Sequence, residues 1–208
     1  KAVAETVATC GRIDYLFNNA GIGIGGEVDS LILDDWTDII DVNLRGVVHG
    51  IKAAYPVMIR QGSGHIVNTA SMAGLVTTSA QAGYSATKHA VVALSKTLRV
   101  EAAGHGVKVS VLCPGVVRTP ILSGGEYGRN RNVSRENLLK LGEALRPIEP
   151  EEFADRALRA VLRNEAIIVV PRWWKALWYL ERLSPALSMR TAAVALKRTR
   201  EVQSAPLQ

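Results

Sequence analysis

The sequence predicts an α/β fold, a doubly wound parallel sheet in three layers, of which the C-terminal portion is present. Three observations carry that prediction. Segments that read as strands at Tyr15–Phe17, His65–Thr69, Val107–Leu112 and Ala166–Val170 alternate with segments of helical spacing, and such alternation calls for parallel strands joined by right-handed crossovers. The first three end in small or polar residues, at the sheet edge where parallel strands present ligand-binding loops. Composition agrees: 48% of the 208 residues are hydrophobic and 21% charged, with 18 Gly and 8 Pro, which excludes collagen, coiled coil and disorder.

In chain order, Val3, Val7 and Ala8 have helical spacing and stop at Gly11. Tyr15-Leu16-Phe17 is a short buried strand closed by Asn18-Asn19-Ala20-Gly21, and residues 22–33 read as loop. Asp34 or Asp35 caps a long helix from Trp36 to Arg60, with Ile39, Ile40, Val47 and Ile51 on its apolar face. Gln61-Gly62-Ser63-Gly64 breaks it, and the second strand follows. A loop of small residues leads to a helix from Tyr84 to Ala103, which Gly104 and Gly106 stop. The third strand closes at Cys113-Pro114-Gly115. Residues 116–148 are poorly periodic, with a short helix expected over Arg135–Leu145. Pro150 suits the first turn of a further helix with Ala154, Ala157, Leu158 and Val161 on one face. Four strands amount to the second half of a doubly wound sheet, which has six or more.

The net charge of +6 is a property of the tail. Residues 1–171 hold 18 basic against 17 acidic side chains, and residues 172–208 hold seven against two. A body so nearly balanced argues against a nucleic-acid partner. Two cysteines, Cys10 and Cys113, offer neither metal spacing nor a disulfide framework, so no metal is expected and a reducing, cytoplasmic setting is. No run of 18 apolar residues occurs. The chain divides into a body, 1–171, with a variable loop at 116–148, and a tail, 172–208.

The sharpest chemical feature is Tyr84-Ser85-Ala86-Thr87-Lys88. Tyr and Lys four apart at a helix start share one face. A free phenol titrates near 10 and is a poor acid or base at neutral pH, whereas a nearby ammonium favours the phenolate. Alone, such a pair is as readily a surface Tyr and Lys. Ser71 changes the balance, because it follows the His65–Thr69 strand and so reaches the edge where the Tyr84 helix starts. Asn43 lies mid-helix on the stripe that carries Ile40 and Val47, where an amide must be hydrogen-bonded.

Together these residues resemble the short-chain dehydrogenase/reductase family. The matching pieces are Asn18-Asn19-Ala20-Gly21, Asn43, Ser71 with Gly74 nearby, Tyr84 to Lys88, and Pro114-Gly115-Val116-Val117-Arg118-Thr119, over residues 1–171. The resemblance implies a Rossmann-like fold and an NAD- or NADP-dependent enzyme that interconverts an alcohol and a ketone or aldehyde. It implies Tyr84 as general acid/base, Lys88 as the group that lowers its pKa and holds the nicotinamide ribose, Ser71 as a donor to the substrate oxygen, and Asn43 as the holder of a relay water. Asn18, Ala20 and Gly21 would meet the adenosine side of the cofactor. Pro114, Gly115, Val117 and Thr119 would meet the nicotinamide. A homodimer or homotetramer built on the Asn43 and Tyr84 helices is implied too.

One departure is large. The family's Gly-x-x-x-Gly-x-Gly turn, which receives the pyrophosphate at a helix N-terminus, is not among these residues. Gly21-Ile22-Gly23-Ile24-Gly25-Gly26 is glycine-rich, but no helical pattern follows it at once. Nor is the residue present that separates NAD from NADP. With Lys as residue 1, the expectation is the catalytic portion of a longer enzyme; the alternative is a fragment with an open sheet edge near Tyr15–Phe17. A non-enzymatic relative, serving as a binding or scaffold module, is the rival function.

Residues 120–148 fall where the family places its substrate lid. Gly124, Gly125 and Gly128 suit motion there, and Arg129, Arg131 and Arg135 suit either an anionic ligand or a solvated basic loop. In the tail, Trp173, Trp174, Leu177, Trp178, Leu180 and Leu183 crowd among basic residues, with helical spacing resuming from Met189 to Lys197. That pattern fits peripheral contact with a membrane surface through residues 172–197, or packing on the body or a partner subunit. It also suits a hydrophobic substrate.

Overall fold

The computed structural model describes residues 1–123, 127–131, 136 and 142–204. Its frame is a sheet of four parallel strands among the described residues: β1 (Tyr15–Asn18), β3 (Gly64–Thr69), β4 (Val107–Pro114) and β6 (Ile167–Val170), in the order β1-β3-β4-β6. Register sets Phe17 beside Val67, Ile66 beside Val109, and Leu112 beside Ile168. Strands β3 and β4 are buried almost throughout, as central parallel strands covered on both faces should be.

Alternate side chains supply two cores. On one face Ile66, Val109, Val111 and Cys113 meet α3 (Gly46–Gln61) through Val47, Ile51, Ala54 and Met58, and α4 (Ala82–Ala103) through Val91, Val92 and Leu98. On the other, Val67, Leu112, Ile168 and Val170 meet Ala157, Ala160 and Val161 of α5 (Pro150–Leu162). The result is the expected three-layer α/β/α arrangement. At the β1 edge, Tyr15 and Phe17 stand 47% and 43% exposed. The first helix, α1 (Ala2–Cys10), has no buried residue.

Three expectations need correction. The long helix from Trp36 to Arg60 is broken into α2 (Leu33–Ile40), a π-helical turn (Asp41–Arg45) and α3. Within α2, Ile39 is buried while Ile40, about 100° further round the helix, is 38% exposed. Asp35 performs the capping, from the third helical position, accepting the Ile32 N–H at 3.1 Å. Residues 22–33, expected as loop, contain β2 (Gly23–Gly25), which pairs in parallel with β5 (Gly128–Asn130) from the variable segment. Glycine-rich strands lack alternation, and this pair approaches closely: a Cβ at Gly128 would overlap the Gly23 carbonyl. The helix expected over Arg135–Leu145, like Gly124, Gly125 and Arg135, lies mostly outside the described residues.

The tail forms a 3-10 turn (Arg172–Trp174), α6 (Lys175–Leu183) and α7 (Pro185–Ser204). Trp174 is buried in the first core and Trp178 packs against that core, so the tail docks on the body through two of its three tryptophans. Trp173, Tyr179, Leu183 and Met189 face outward. No helix among the described residues is long and apolar enough to cross a membrane.

Candidate active site

The Tyr84-Lys88 pair sits in the first turns of α4, which begins two residues before Tyr84. One helical turn brings the Lys88 ammonium over the Tyr84 ring, 5.5 Å from its centroid. Lys88 is buried and donates to the Thr69 carbonyl at the end of β3, 3.0 Å away. Ser71 lies two residues further on, capping a 3-10 turn (Met72–Gly74) by accepting the Ala73 N–H at 3.1 Å. Its hydroxyl lies near enough to the Tyr84 phenol to favour the phenolate. The end of β3 and the start of α4 therefore bring Ser71, Tyr84 and Lys88 together.

The electrostatics depart from expectation. Burial raises the Tyr84 phenol above its ordinary value, and the neighbouring Ser71 hydroxyl opposes that without overcoming it. Lys88 was expected to bring the phenol down. Its ammonium lies over the ring and bonds to Thr69, and burial pushes its own pKa down to about 8. Desolvation therefore dominates both groups.

Asn43 occupies the centre of the π turn and is fully buried. Its Oδ1 accepts the Ile22 N–H at 2.8 Å and its Nδ2 donates to the Ile22 carbonyl at 2.9 Å. Thus it fastens the loop after β1 and leaves neither amide atom idle. Gly21 fills the space between: a Cβ there would lie 3.2 Å from Asn43 Oδ1 and 3.5 Å from Lys88 Nζ. All four tetrad residues and Gly21 share one locus.

The remaining residues fall into two groups. Asn18 donates to Asn68 Oδ1 at 2.7 Å, and Thr69 donates to Asn19 Oδ1 at 2.9 Å, so these side chains stitch β1 to β3. Ala20 is exposed beside them. Past β4, the Gly115 N–H donates to the Val170 carbonyl at 2.8 Å. The segment from Pro114 to Thr119 then pairs with Ile148: Arg118 N–H donates to Ile148 at 2.9 Å, and Ile148 N–H to Val116 at 3.1 Å. Val117 bridges Ile148, and the Thr119 hydroxyl has only a long 3.5 Å contact to the Val117 carbonyl. The base of the variable loop is pinned at both ends.

Several residues near the site escaped sequence reasoning. Cys113 is buried beside Lys88, and burial pushes its thiol up to about 12, against Lys88 and the Ser71 N–H. Asp35, almost wholly buried, takes Arg131 at 3.1 Å and Arg129 at 3.2 Å. Arg129 also pairs with Asp38. These pairings commit both arginines, against the reading that they await an anionic ligand. An open cavity of about 370 Å³ beside them, lined by Ile22, Ile24, Asp38, Asp41 and Val42, includes no tetrad residue. The acidic side chains at helical spacing were the only signal for this cluster.

Residues 1–126 match the family model for short chain dehydrogenase. An uncharacterized oxidoreductase of Staphylococcus epidermidis is 37% identical over 128 residues, covering 62% of this chain and 56% of that protein. A cyclohexanol dehydrogenase of Acinetobacter is 36% identical over 169 residues, covering 81% of this chain and 64% of that protein. A Burkholderia phymatum short-chain dehydrogenase/reductase, solved in complex with NAD, superposes with a TM-score of 0.76 at 30% identity, covering 89% of this chain and 71% of that one. The chain spans about half the length of the curated relatives it matches first, 56% of each.

Proposed function

The chain belongs to the short-chain dehydrogenase/reductase family, and from that premise we propose that it interconverts an alcohol and a ketone or aldehyde with a nicotinamide cofactor. The observation that carries the reading is the convergence of Tyr84, Lys88, Ser71 and Asn43 around Gly21. The residues present suit the nicotinamide half of such a cofactor. Lys88 has three donors and, among the described residues, a single hydrogen bond to protein, so it can also serve ribose hydroxyls. Thr119 has a hydroxyl nearly free to turn toward a carboxamide.

When bound, the cofactor supplies or accepts the hydride. The protein's part is proton management and placement. In the reductive direction Tyr84 donates its phenolic proton to the substrate oxygen, and its raised pKa keeps that proton in place beforehand. Ser71 donates a hydrogen bond to the same oxygen as negative charge develops there. Lys88, charged below about 8, then stabilises the phenolate left on Tyr84. Asn43 holds the loop around Ile22, and we assign to its turn the relay water that returns a proton to Lys88. Asn18, Ala20 and Gly21 are assigned to the adenosine side, chiefly through backbone. Pro114, Gly115, Val117 and Thr119 are assigned to the nicotinamide.

The choice between NAD and NADP belongs to residues beyond this set. Residues 1–171 are proposed as the catalytic body, 116–148 as its substrate loop and 172–208 as an appended unit, in a cytoplasmic homodimer or homotetramer. The exposed Ile40, Val48 and Val100 on the Asn43 and Tyr84 helices support that interface. Any peripheral membrane contact falls to the outward Trp173, Tyr179, Leu183 and Met189, interleaved with Arg172, Arg182 and Arg190.

Fluorescence titration with NADH and NADPH, on the polypeptide carrying these residues and on its Lys88→Met variant, tests the reading. Saturable binding that weakens about tenfold in the variant is expected. Equal binding by both would remove Lys88 from the cofactor site.

A further inference from the structure

Asp35 in α2 is a carboxylate only 1% exposed, and two arginines from a distant part of the chain answer its charge. Arg131 meets it with a fork of two 3.1 Å hydrogen bonds, Nε to Oδ2 and Nη2 to Oδ1. Arg129 Nε lies 3.2 Å from Oδ1. The Arg131 bonds hold the Asp35 carboxyl below the usual range against the opposing effect of burial, and Ile32 and Arg129 add to them. A surface pair can be broken at little cost, but loss of an arginine here strands a buried charge.

Arg129 lies within β5 and Arg131 just past it, so the cluster ties β5 to α2. In turn β5 pairs with β2, Gly23 beside Gly128 and Gly25 beside Asn130, and the Arg131 N–H donates to the Gly25 carbonyl at 2.9 Å. That ladder is only three residues long on each strand, and Gly23, Gly25 and Gly128 bring no side chains to it. Two such strands hold weakly by themselves. An open cavity of about 370 Å³ lies alongside, between Ile22, Ile24, Asp38 and Arg129, so the ion pairs carry much of the restraint on that side. Directly before β2 stands Ile22, whose N–H and carbonyl occupy both amide atoms of Asn43. One residue further back, a Cβ at Gly21 would lie 3.5 Å from Lys88 Nζ. A continuous path of contacts therefore runs from Asp35 through Arg131, β5, β2 and Ile22 to Asn43.

We propose that Asp35 is a positioning residue for the catalytic centre: clamped by Arg131 and Arg129, it holds β5 on β2 and so fixes Ile22 where it locks the Asn43 amide. The loop between β1 and β2 then keeps its place beside Lys88 during turnover. The proposal rests on the dehydrogenase reading for its effect on rate, though not for its effect on the Ile22–Asn43 bonds.

The Ile22 amide reports the lock directly, because its bond to Asn43 slows its hydrogen exchange. Contact alone does not establish coupling, so the experiment is a double-mutant cycle. Exchange at Ile22 and across β4 is measured by NMR in wild type, Asp35→Asn, Arg131→Met, the double variant and Arg131→Lys. The same proteins are assayed for kcat and KM in cyclohexanone reduction. Asp35→Asn keeps an acceptor for the Ile32 N–H and removes only the charge. Each single variant is expected to speed Ile22 exchange about tenfold with β4 within about twofold, and the double variant to go no further. In the single variants kcat falls about tenfold with KM within about threefold, and Arg131→Lys, which keeps the charge, recovers part of both losses. Should Asp35→Asn not fold, Arg131→Met and Arg131→Lys carry the test, since Arg131 is 37% exposed. Unchanged exchange at Ile22, additive effects in the double variant, or unchanged kcat beside faster exchange overturns the proposal. Equal acceleration in β4 overturns it too, by making Asp35 a support of the whole fold. Faster Ile22 exchange in the variants, with no turnover of any alcohol or ketone by wild type, would sink the dehydrogenase reading and leave the clamp standing.

Discussion

Gly74 is the position at which one added carbon should disturb this site most. A Cβ there would lie 2.5 Å from the Lys88 carbonyl oxygen, 2.7 Å from its carbon and 3.2 Å from the His89 nitrogen. These are backbone atoms in the middle of α4 and cannot swing aside. Restoring ordinary contact requires the Met72–Gly74 turn and α4 to separate by about 1 Å, at a cost of about 1–3 kcal/mol in overpacking. For a chain of this size that corresponds to a loss of about 4–8 °C in Tm at 2 kcal/mol. The same displacement carries Ser71 away from Tyr84, and a misplacement of about 1 Å can cost about 100-fold in rate. The assay is thermal unfolding by circular dichroism, paired with initial rates of ketone reduction, for Gly74→Ala. Gly104→Ala is the control, since nothing lies within 4 Å of that position and its φ is −68°. The control should be neutral or slightly stabilising. A Gly74→Ala protein with Tm within about 1 °C of wild type and kcat/KM within about twofold would refute the reasoning.

Two further predictions concern buried titratable groups. Burial, with Lys108 and Arg99 adding to it, pushes His65 down to about 4. The unfolded chain thus takes up this proton near 6.5 while the folded one does not, so stability is full above 6.5 and is lost as pH falls toward 4. The ceiling is about 3 kcal/mol, which partial solvent screening reduces to about 1–2 kcal/mol. Denaturant midpoints measured across that window should fall accordingly, and His65→Gln should flatten the fall; an equal slope in the variant would count against it. Lys88, held at about 8, is costly to bury charged. Stability therefore rises with pH between 8 and the ordinary value of 10.5. Lys88→Met should keep or improve stability at pH 7 while losing about 100-fold in turnover; a variant destabilised by more than about 2 kcal/mol would show that the Thr69 bond outweighs the burial cost.

The strands of the sheet were legible because β3, β4 and β6 are short segments rich in Val, Ile and Leu, bounded by turn residues and alternating with helical spacing. Tyr84 and Lys88 were legible because helical geometry places residues four apart on one face. The π turn was not, since an apolar stripe tolerates one extra residue without any change in composition, and Asn43 sits in that turn. The pairing of β2 with β5 rests on glycine backbones that meet without side chains, which leaves periodicity nothing to detect. The burial that raises the Tyr84 phenol was not legible, because proximity to Lys88 can be read from spacing, whereas desolvation depends on everything packed around the phenol. Glu181 and Asp35 look like solvated helical carboxylates until Thr77, Arg129 and Arg131 are brought to them from 104, 94 and 96 residues away.

Transfer of deuterium from the C4 position of reduced nicotinamide to the carbonyl carbon of cyclohexanone tests the central claim most directly. The measurement compares the wild-type polypeptide carrying these residues with Tyr84→Phe. Deuterium should appear in the alcohol product of wild type, and Tyr84→Phe should transfer it at least about 100-fold more slowly while binding the cofactor with unchanged affinity. Transfer at the wild-type rate in Tyr84→Phe would contradict the assignment of that phenol as the proton donor.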